Sequence, residues 1–535
     1  MRLSAVWLLV LVGCGGSDKS DSGDTADDTV ATGTGGGTAT GGTATGTGGT
    51  ATGGTATGGT ATGGTASGTA TGGTGTGTGG TDPTTTPTFT DTADILAASC
   101  DLQPGNVLRA TCTVTRDGDG PVALSVNGPG FGGTRLFESD AEAAAHTLTL
   151  WGMLPNTTYS WVATAGAAEL SGEVRTGALP ADASVSVSVG GDPSGASVDG
   201  VFFRSCSESE YLVMYNPRGE GVAWYEDIST HAANPVSIYG YHWAEDDTVV
   251  VAANRDEVLV IGADGTLDLA FTLSDLGVDG LLHHDIYKAN GYVFALYAYE
   301  QDGCILDGVA VVDASGALVQ NLDLARTFDV PRCSGGGGGP GPGGGYWGRD
   351  LDGEDVSHAN SVYVSPEGEM VISFRFFDTV IALDGDPTSR SFGEPLWALE
   401  GLPNDAFDPS FVIESAVTDD LVFAANHCAQ RAPTGELTVF DNGLVGLSRA
   451  IVLDLDVDSG SAVITEVYEP GQACSVQSAI YKHTDGSALL TCASAAWFGE
   501  FDAGGGDVTR WTVEPTCAGG PGPGAMIPRG VPVNW

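Results

Sequence analysis

Apolar residues along this chain come in short runs separated by turn residues. From residue 92 onward they never recur with a helical period. The pattern predicts strands throughout. Between residues 92 and 180 the breaks are Asp117-Gly118-Asp119-Gly120-Pro121, Asn127-Gly128-Pro129-Gly130 and Pro155-Asn156. They cut the segment into a few alternating strands, which predicts a small β-sandwich. From residue 183 to 535 one layout recurs. A polar or His-containing start leads into a short strand, a tight turn and a strongly apolar strand. His242-Trp243 leads through Asp246-Asp247 to Val249-Val250-Val251-Ala252, and His283-His284-Asp285-Ile286 through Asn290-Gly291 to Tyr292–Leu296. His358-Ala359-Asn360 leads through Pro366-Glu367-Gly368 to Met370-Val371-Ile372, and His427-Cys428 through Pro433-Thr434-Gly435 to Leu437–Phe440. A last copy runs from Cys474–Gln477 through Thr484-Asp485-Gly486 to Leu489-Leu490.

These turns fall roughly 40 to 80 residues apart, which suits the blades of a β-propeller with loop insertions, about six of them in this length. A solenoid would repeat more regularly and a sandwich would need fewer strands. In a propeller the first strand of each blade lines the central channel, so equivalent strand starts meet at one mouth. Four copies place His242, His284, His358 and His427 there, out of eight histidines in the whole chain. Antiparallel pairing about Glu367 sets Arg375 opposite the His358–Asn360 start. Pairing about Thr434 likewise sets His427 opposite Asp441. Imidazoles, one amide and one guanidinium converging on a cavity suit a tetrahedral oxyanion such as sulfate or phosphate.

With these residues in view, the region resembles the bacterial arylsulfotransferase family. The stretches that carry the resemblance are His283-His284-Asp285-Ile286, Ser357-His358-Ala359-Asn360-Ser361-Val362, Ile372-Ser373-Phe374-Arg375, Asn426-His427-Cys428-Ala429, and Phe440-Asp441-Asn442-Gly443 with Ser448-Arg449. They stand in family order and span most of residues 183 to 515. The resemblance implies a six-bladed propeller that moves a sulfuryl group from an aryl sulfate donor to a phenolic acceptor. It implies no cofactor, no nucleotide sulfate donor and a sulfohistidine intermediate. On it, His427 is the nucleophile, while His284, His358, Asn360 and Arg375 hold sulfuryl oxygens or handle the phenolic proton. The chain departs from the family in having Asn426 and Cys428 around the nucleophile, where Gln and Asp often stand. The glycine run 335–345 is also unmatched. Within residues 92–180, Leu154–Val162 resembles the late strands of a fibronectin type III domain, which places an immunoglobulin-like or fibronectin III-like sandwich before the propeller.

The remaining sequence changes the picture in three ways. Residues 1–13 have one early arginine, a short apolar run and a small residue before Cys14. They resemble a lipoprotein signal peptide with Cys14 as the lipidated residue, an ordinary secretory leader being the other reading. Gly15 after that cysteine points to an outer-membrane, cell-envelope lipoprotein. Residues 14–91 are almost entirely Gly, Thr and Ala, a disordered tether with a reach of about 50 Å. Acidic residues number 68 against 20 basic ones, a net charge of −48, which argues against any nucleic-acid partner.

Ten cysteines in an exported chain predict disulfides. Local pairs are Cys100–Cys112, Cys304–Cys333 and Cys474–Cys492, and Cys206 with Cys517 would lock the ends of the ring, leaving Cys428 free. Arg375 among the histidines, and the lack of metal-ligand spacing, argue for no metal. The Asp454–Asp458 run reads as an acidic strand and not a calcium loop. His283 reads as a residue that shapes its strand's start, and His146, His231 and His483 as surface or loop histidines. The alternative to an enzyme is a non-catalytic ligand-binding or adhesion propeller.

Overall fold

The computed structural model describes residues 95–206, 209–233, 236–328, 351, 353–404, 407–443, 447–516 and 529–534. The leader, Cys14, the tether, Cys333, Cys517 and the 335–345 glycine run lie outside them. Among the described residues the fold is all-β. The exceptions are one short α-helix, Leu324–Thr327, and isolated 3-10 turns. None of these helices is long and apolar enough to cross a membrane.

The first five strands, Ile95–Gln103, Asn106–Asn127, Thr134–Leu150, Thr158–Ala165 and Ala168–Arg175, form one continuous hydrogen-bonded sheet. Its 22-residue strand changes partners along its length. Cys112 faces Cys100 of the first strand, whereas Asn127 faces Ser160 of the fourth. One sheet thereby folds over a shared core that includes Cys112, Leu124, Met153, Tyr159 and Trp161. The Tyr159 hydroxyl donates to Pro129 O (2.9 Å) and accepts from Leu154 N (2.7 Å), tying the corner between strands. His146, expected at the surface, is only 3% exposed. Its ring bonds Ser139 Oγ and Ala143 O and is satisfied inside the sheet.

Residues 186–534 form six further sheets of four or five strands. The first holds residues 200–227, the second 238–272, the third 281–323 with Glu354–Asp355, and the fourth 359–400. The fifth holds 427–468 with Val412–Ser415, and the sixth 479–516. Two strands are exchanged between the ends of the chain. Val531–Val533 pairs with Gly200–Arg204 of the first sheet, and Ser186–Gly191 pairs with Thr509–Thr516 of the last. Central strands such as Thr248–Ala253 are buried along their whole length, which is why they read as unbroken apolar runs. Each successive pair of sheets shares an apolar cluster. Leu259 packs with Trp224, Val250 with Ile286, Phe294 with Ile372, Leu399 with Val439, and Phe440 with Leu490. Trp511 of the last sheet packs with Phe203 of the first.

The turns follow the sequence. Asn290 (φ 55°) and Gly291 (φ 82°) both take the left-handed conformation that a two-residue type I′ hairpin needs, which Asn-Gly supplies at little steric cost. The hairpin registers differ from the simple count by one residue. Ala359 faces Phe374 and His427 faces Phe440, because a bulge interrupts each inner strand.

Cys100–Cys112 and Cys474–Cys492 are disulfides, and Cys428 is a buried free thiol. Cys206 and Cys304 are also disulfide-bonded. The N-terminal sheet is fastened to the first of the six through Asn106 Nδ2 to Tyr225 O (2.8 Å) and a buried Arg109–Glu226 pair (2.5 Å). Replacing Arg109 by alanine removes the guanidinium from a buried carboxylate and leaves Glu226 with His231 (3.1 Å). It should lower the unfolding free energy by about 3 kcal/mol, read from urea unfolding of the full chain; an unchanged midpoint would place that pair outside the stabilising interface.

Candidate functional site

The inner strands of the second to sixth sheets, Ile238–Trp243, Leu281–Ala289, Ala359–Val364, His427–Arg431 and Ala479–Lys482, each run up to a turn. The first turn residues are Glu245, Asn290, Pro366, Pro433 and Thr484 in the second to sixth sheets. Counted back from these turns, His284, Asn360 and His427 occupy one tier. The sequence layout had placed His358 in that tier; it stands two residues earlier, and Asn360 takes the equivalent place. Bulges between Leu282 and Ile286, Ala359 and Ser361, and His427 and Gln430 break the in–out alternation at this level and re-aim the side chains. His284 (φ 55°), His358 (φ 51°) and Cys428 (φ 47°) are all left-handed, a conformation that costs a non-glycine residue about 1–3 kcal/mol. Strain of this kind repeated at neighbouring strand starts marks the place where the fold is under functional constraint.

The five residues singled out from the sequence gather here. The His284 and His358 rings lie 4.7 Å apart edge to face, and His427 lies 6.5 Å from His284. Arg375 N donates to His358 O (3.1 Å), which sets Arg375 beside the His358 strand start. Its guanidinium forms no ion pair among the described residues, and its field bears on both His284 and His427. Asn360 Nδ2 donates to Asn426 O (2.7 Å), the peptide just before His427, and its Oδ1 is buried without a partner.

His242 does not join them. It lies three residues before its turn, stacked on Tyr287 at 4.1 Å, so its position along the strand puts it in another layer.

The hydrogen bonds decide which nitrogens are available. His427 Nδ1 faces two acceptors, Asn442 Oδ1 (2.6 Å) and Ala425 O (3.0 Å), so Nδ1 carries the proton. Its Nε2 is then a buried lone pair with no partner. Burial, then the charge of Arg375, pushes the His427 pKa down to about 3, so the ring is neutral at physiological pH. His284 is pushed well below its ordinary value by burial and by the neighbouring imidazoles. His358 Nδ1 lies 2.6 Å from Asp355 Oδ2, which fixes the orientation of the ring. His283 Nδ1 meets His284 Nδ1 at 2.8 Å, and His283 Nε2 lies 3.0 Å from Asp307. Asp307 also accepts from Ser357 Oγ and Ala359 N.

Asp307 and Asp355 were not singled out from the sequence, because polar residues beside strands look like any solvent-facing position. Ser373, Asn426 and Asn442 fall inside the family-like stretches but were given no role at the site. Arg529 was missed too: it reaches in from the other end of the chain to bond Asp285 and lies 3.0 Å from Cys428 Sγ.

Depressed pKa values have a consequence for stability. His242 and His427, both at about 3, bind fewer protons folded than unfolded between pH 3 and their ordinary 6.5. Stability from these two is therefore fully present above about pH 6.5 and is lost as pH falls toward 3. Each contributes a slope of up to about 1.4 kcal/mol per pH unit in that window. Urea midpoints should begin to fall already above pH 5, before ordinary carboxylates titrate, and less steeply in His427→Gln; a flat profile there would contradict neutral buried imidazoles.

A cavity of about 1000 Å³ lies on the turn side of this cluster. Asp285, Ser361 and Cys428 line its inner end and exposed turn residues such as Glu367 and Pro433 its outer end, so it opens away from the histidines. The five candidates are not part of its lining.

Residues 242–463 match the family model described as Arylsulfotransferase (ASST). No curated protein matches the chain. Solved structures similar to it include a protein of unknown function from Bacteroides caccae, 9% identical with a TM-score of 0.34 over 63% of this chain and 99% of that one. Another is virginiamycin B lyase from Staphylococcus aureus, 11% identical with a TM-score of 0.29 over 52% of this chain and 94% of that one. A third is a quinonprotein alcohol dehydrogenase-like protein from Bacteroides thetaiotaomicron, 8% identical with a TM-score of 0.31 over 73% of this chain and 76% of that one. These likenesses are too slight to bear on activity. The family match is of another kind, since it spans the strands that carry His284, His358, Asn360, Arg375 and His427.

Proposed function

We propose that the chain transfers a sulfuryl group from an aryl sulfate ester to a phenolic acceptor through a sulfohistidine at His427. The family match supports aryl sulfotransfer in general. The observation that carries the finer reading is the unpartnered Nε2 of His427, fixed as a lone pair by two acceptors on Nδ1. In the first half-reaction Nε2 attacks sulfur, an N–S bond forms and the S–O(aryl) bond breaks. His358, held at Nδ1 by Asp355, gives the departing phenolate a proton from Nε2. In the second, the acceptor hydroxyl loses its proton to His358 and attacks sulfur, a new S–O(aryl) bond forms, and the N–S bond breaks to return the lone pair to His427 Nε2. Arg375 supplies the fork that meets the sulfuryl oxygens.

The six sheets, joined in sequence and last to first by shared apolar clusters, are proposed to be blades of one closed propeller. The N-terminal sheet is proposed to be a fibronectin III-like sandwich, and residues 1–91 a lipid anchor and tether in the cell envelope. Incubation with an aryl sulfate and a phenol, without any nucleotide, tests the activity. Sulfated acceptor formed in proportion to donor consumed is expected. No turnover across varied donors and acceptors would favour a non-catalytic binding propeller.

Asn442 holds the tautomer, so Asn442→Ala should lower kcat by about tenfold to a hundredfold with little change in KM. Asn442→Asp, which keeps an acceptor at Nδ1, should recover part of the loss and shift the acid limb of the pH profile.

A further inference from the structure

We propose that Arg529 is a positioning residue for the histidine cluster: its ion pair with Asp285 sets the strand starts of His284, Asn360 and His427 against one another. The proposal rests on the sulfuryl transfer proposed above and adds a residue from the last strand of the chain to that site.

Val531–Val533 takes the edge place in the first sheet that Ile238–Trp243 takes in the second and Leu281–Ala289 in the third. It is the inner strand of the first sheet, supplied from the far end of the chain. Arg529 stands two residues before it, at a strand start, as Asn360 and His427 stand at theirs. Its main chain is fixed by the second sheet. The Tyr241 hydroxyl donates to Arg529 O (2.9 Å) and accepts from Arg204 N (3.2 Å).

The guanidinium meets Asp285 with two nitrogens on two oxygens. Nη1 donates to Oδ2 (3.0 Å) and Nη2 to Oδ1, the bidentate form that fixes direction as well as distance. Nη1 also lies 3.0 Å from Cys428 Sγ. Asp285 spends its remaining capacity on main chain, accepting from Ile286 N at Oδ1 (2.9 Å) and from Val362 N at Oδ2 (2.9 Å). One pair thus joins strands of the first, third, fourth and fifth sheets. Every attachment point adjoins the site. Asp285 follows His284, Cys428 follows His427, and Val362 stands two residues after Asn360. The strand starts need such a tie. His284 (φ 55°) and Cys428 (φ 47°) are left-handed, which surrounding contacts have to maintain. The ladder does little of this, because bulges interrupt it between Leu282 and Ile286 and between His427 and Gln430. Asp285 is 1% exposed, and Arg529 is its one cationic partner among the described residues. Arg529 bonds the neighbours of the imidazoles and not the imidazoles, so it acts by holding geometry. A reacting atom displaced by about 1 Å can lose about a hundredfold in rate.

The test compares full-length variants in sulfuryl transfer from an aryl sulfate to a phenol. Arg529→Met should lower kcat by about tenfold to a hundredfold and change KM by less than about threefold. Arg529→Lys keeps a cation beside Asp285 and loses the fork, so it should recover part of the rate. Arg529→Met leaves a buried carboxylate unpaired. If circular dichroism shows it unfolded, Asp285→Asn with Arg529→Met decides, since it removes both charges together, and it should still lose at least about tenfold in kcat. The losses of Asp285→Asn and Arg529→Met should not add, because both break one contact. Nitrogen-15 spectra of the histidine-labelled chain, with the His427 signals assigned through His427→Gln, read the imidazole without donor or acceptor. Those signals should move in Arg529→Met and return toward their places in Arg529→Lys. Unchanged kcat in a folded variant, a rise in KM at constant kcat, additive losses or unmoved His427 signals would each overturn the proposal. Lack of turnover by the unsubstituted chain would instead count against sulfuryl transfer, and the spectra would still decide whether Arg529 positions His427.

Discussion

His427→Ala should abolish donor-dependent sulfuryl transfer, with a loss of about 10³-fold or more in kcat. The argument rests on one nitrogen. Nδ1 is committed to Asn442 and Ala425, so Nε2 alone can attack, and an alanine leaves nothing in its place. Alanine also empties a buried position and leaves Asn442 Oδ1 and Ala425 O without this donor, so circular dichroism and urea unfolding should show the variant folded when its rate is read. Single-turnover mixing of donor with the unsubstituted chain should trap an acid-labile, base-stable sulfuryl group on His427. A variant that still turns over at a tenth of the normal rate, about 1.4 kcal/mol in barrier, would remove His427 from the chemistry.

Arg375→Ala should be the second largest effect, about 10²- to 10³-fold in kcat, the usual consequence of removing a preorganised donor to developing negative charge. The physical case is that this guanidinium is half-buried, lacks an ion-pair partner among the described residues and acts on two of the imidazoles. Burial lowers its pKa, though an arginine remains charged at neutral pH. In a chain of net charge −48, an unpaired cation in a buried cluster is conspicuous. Arg375→Lys keeps the charge and loses the fork, so it should recover only part of the rate. Loss of Arg375 also removes a term that depresses the His427 pKa, so the acid limb of the rate profile should move to higher pH. An Arg375→Ala variant with unchanged kcat and unchanged pH profile would exclude the oxyanion role.

Family resemblance and site residues were both legible in the sequence for one reason. The short family-like stretches, such as Ser357–Val362 and Asn426–Ala429, lie at strand starts, where turn signals give the register to within one residue. The one-residue slip in each hairpin came from bulges, which insert a residue without any mark in composition. His242 was misplaced for the opposite reason: its strand has the same kind of polar start, but its histidine lies closer to the turn.

By itself the sequence determined the strand content, the turns, the local disulfides and the set of five residues that gather. These depend on alternation, on Gly and Asn at left-handed positions, and on cysteines close along the chain. Only the tertiary structure decided what each imidazole can do. Proton placement on His427 depends on Ala425 and Asn442, which reach it through local backbone geometry and the neighbouring hairpin strand. The Asp285–Arg529 pair joins residues 244 apart in sequence, and its contacts with Val362 and Cys428 need two more sheets brought to the same layer. Such contacts arise from closure of the sheets on one another, and no local pattern encodes them.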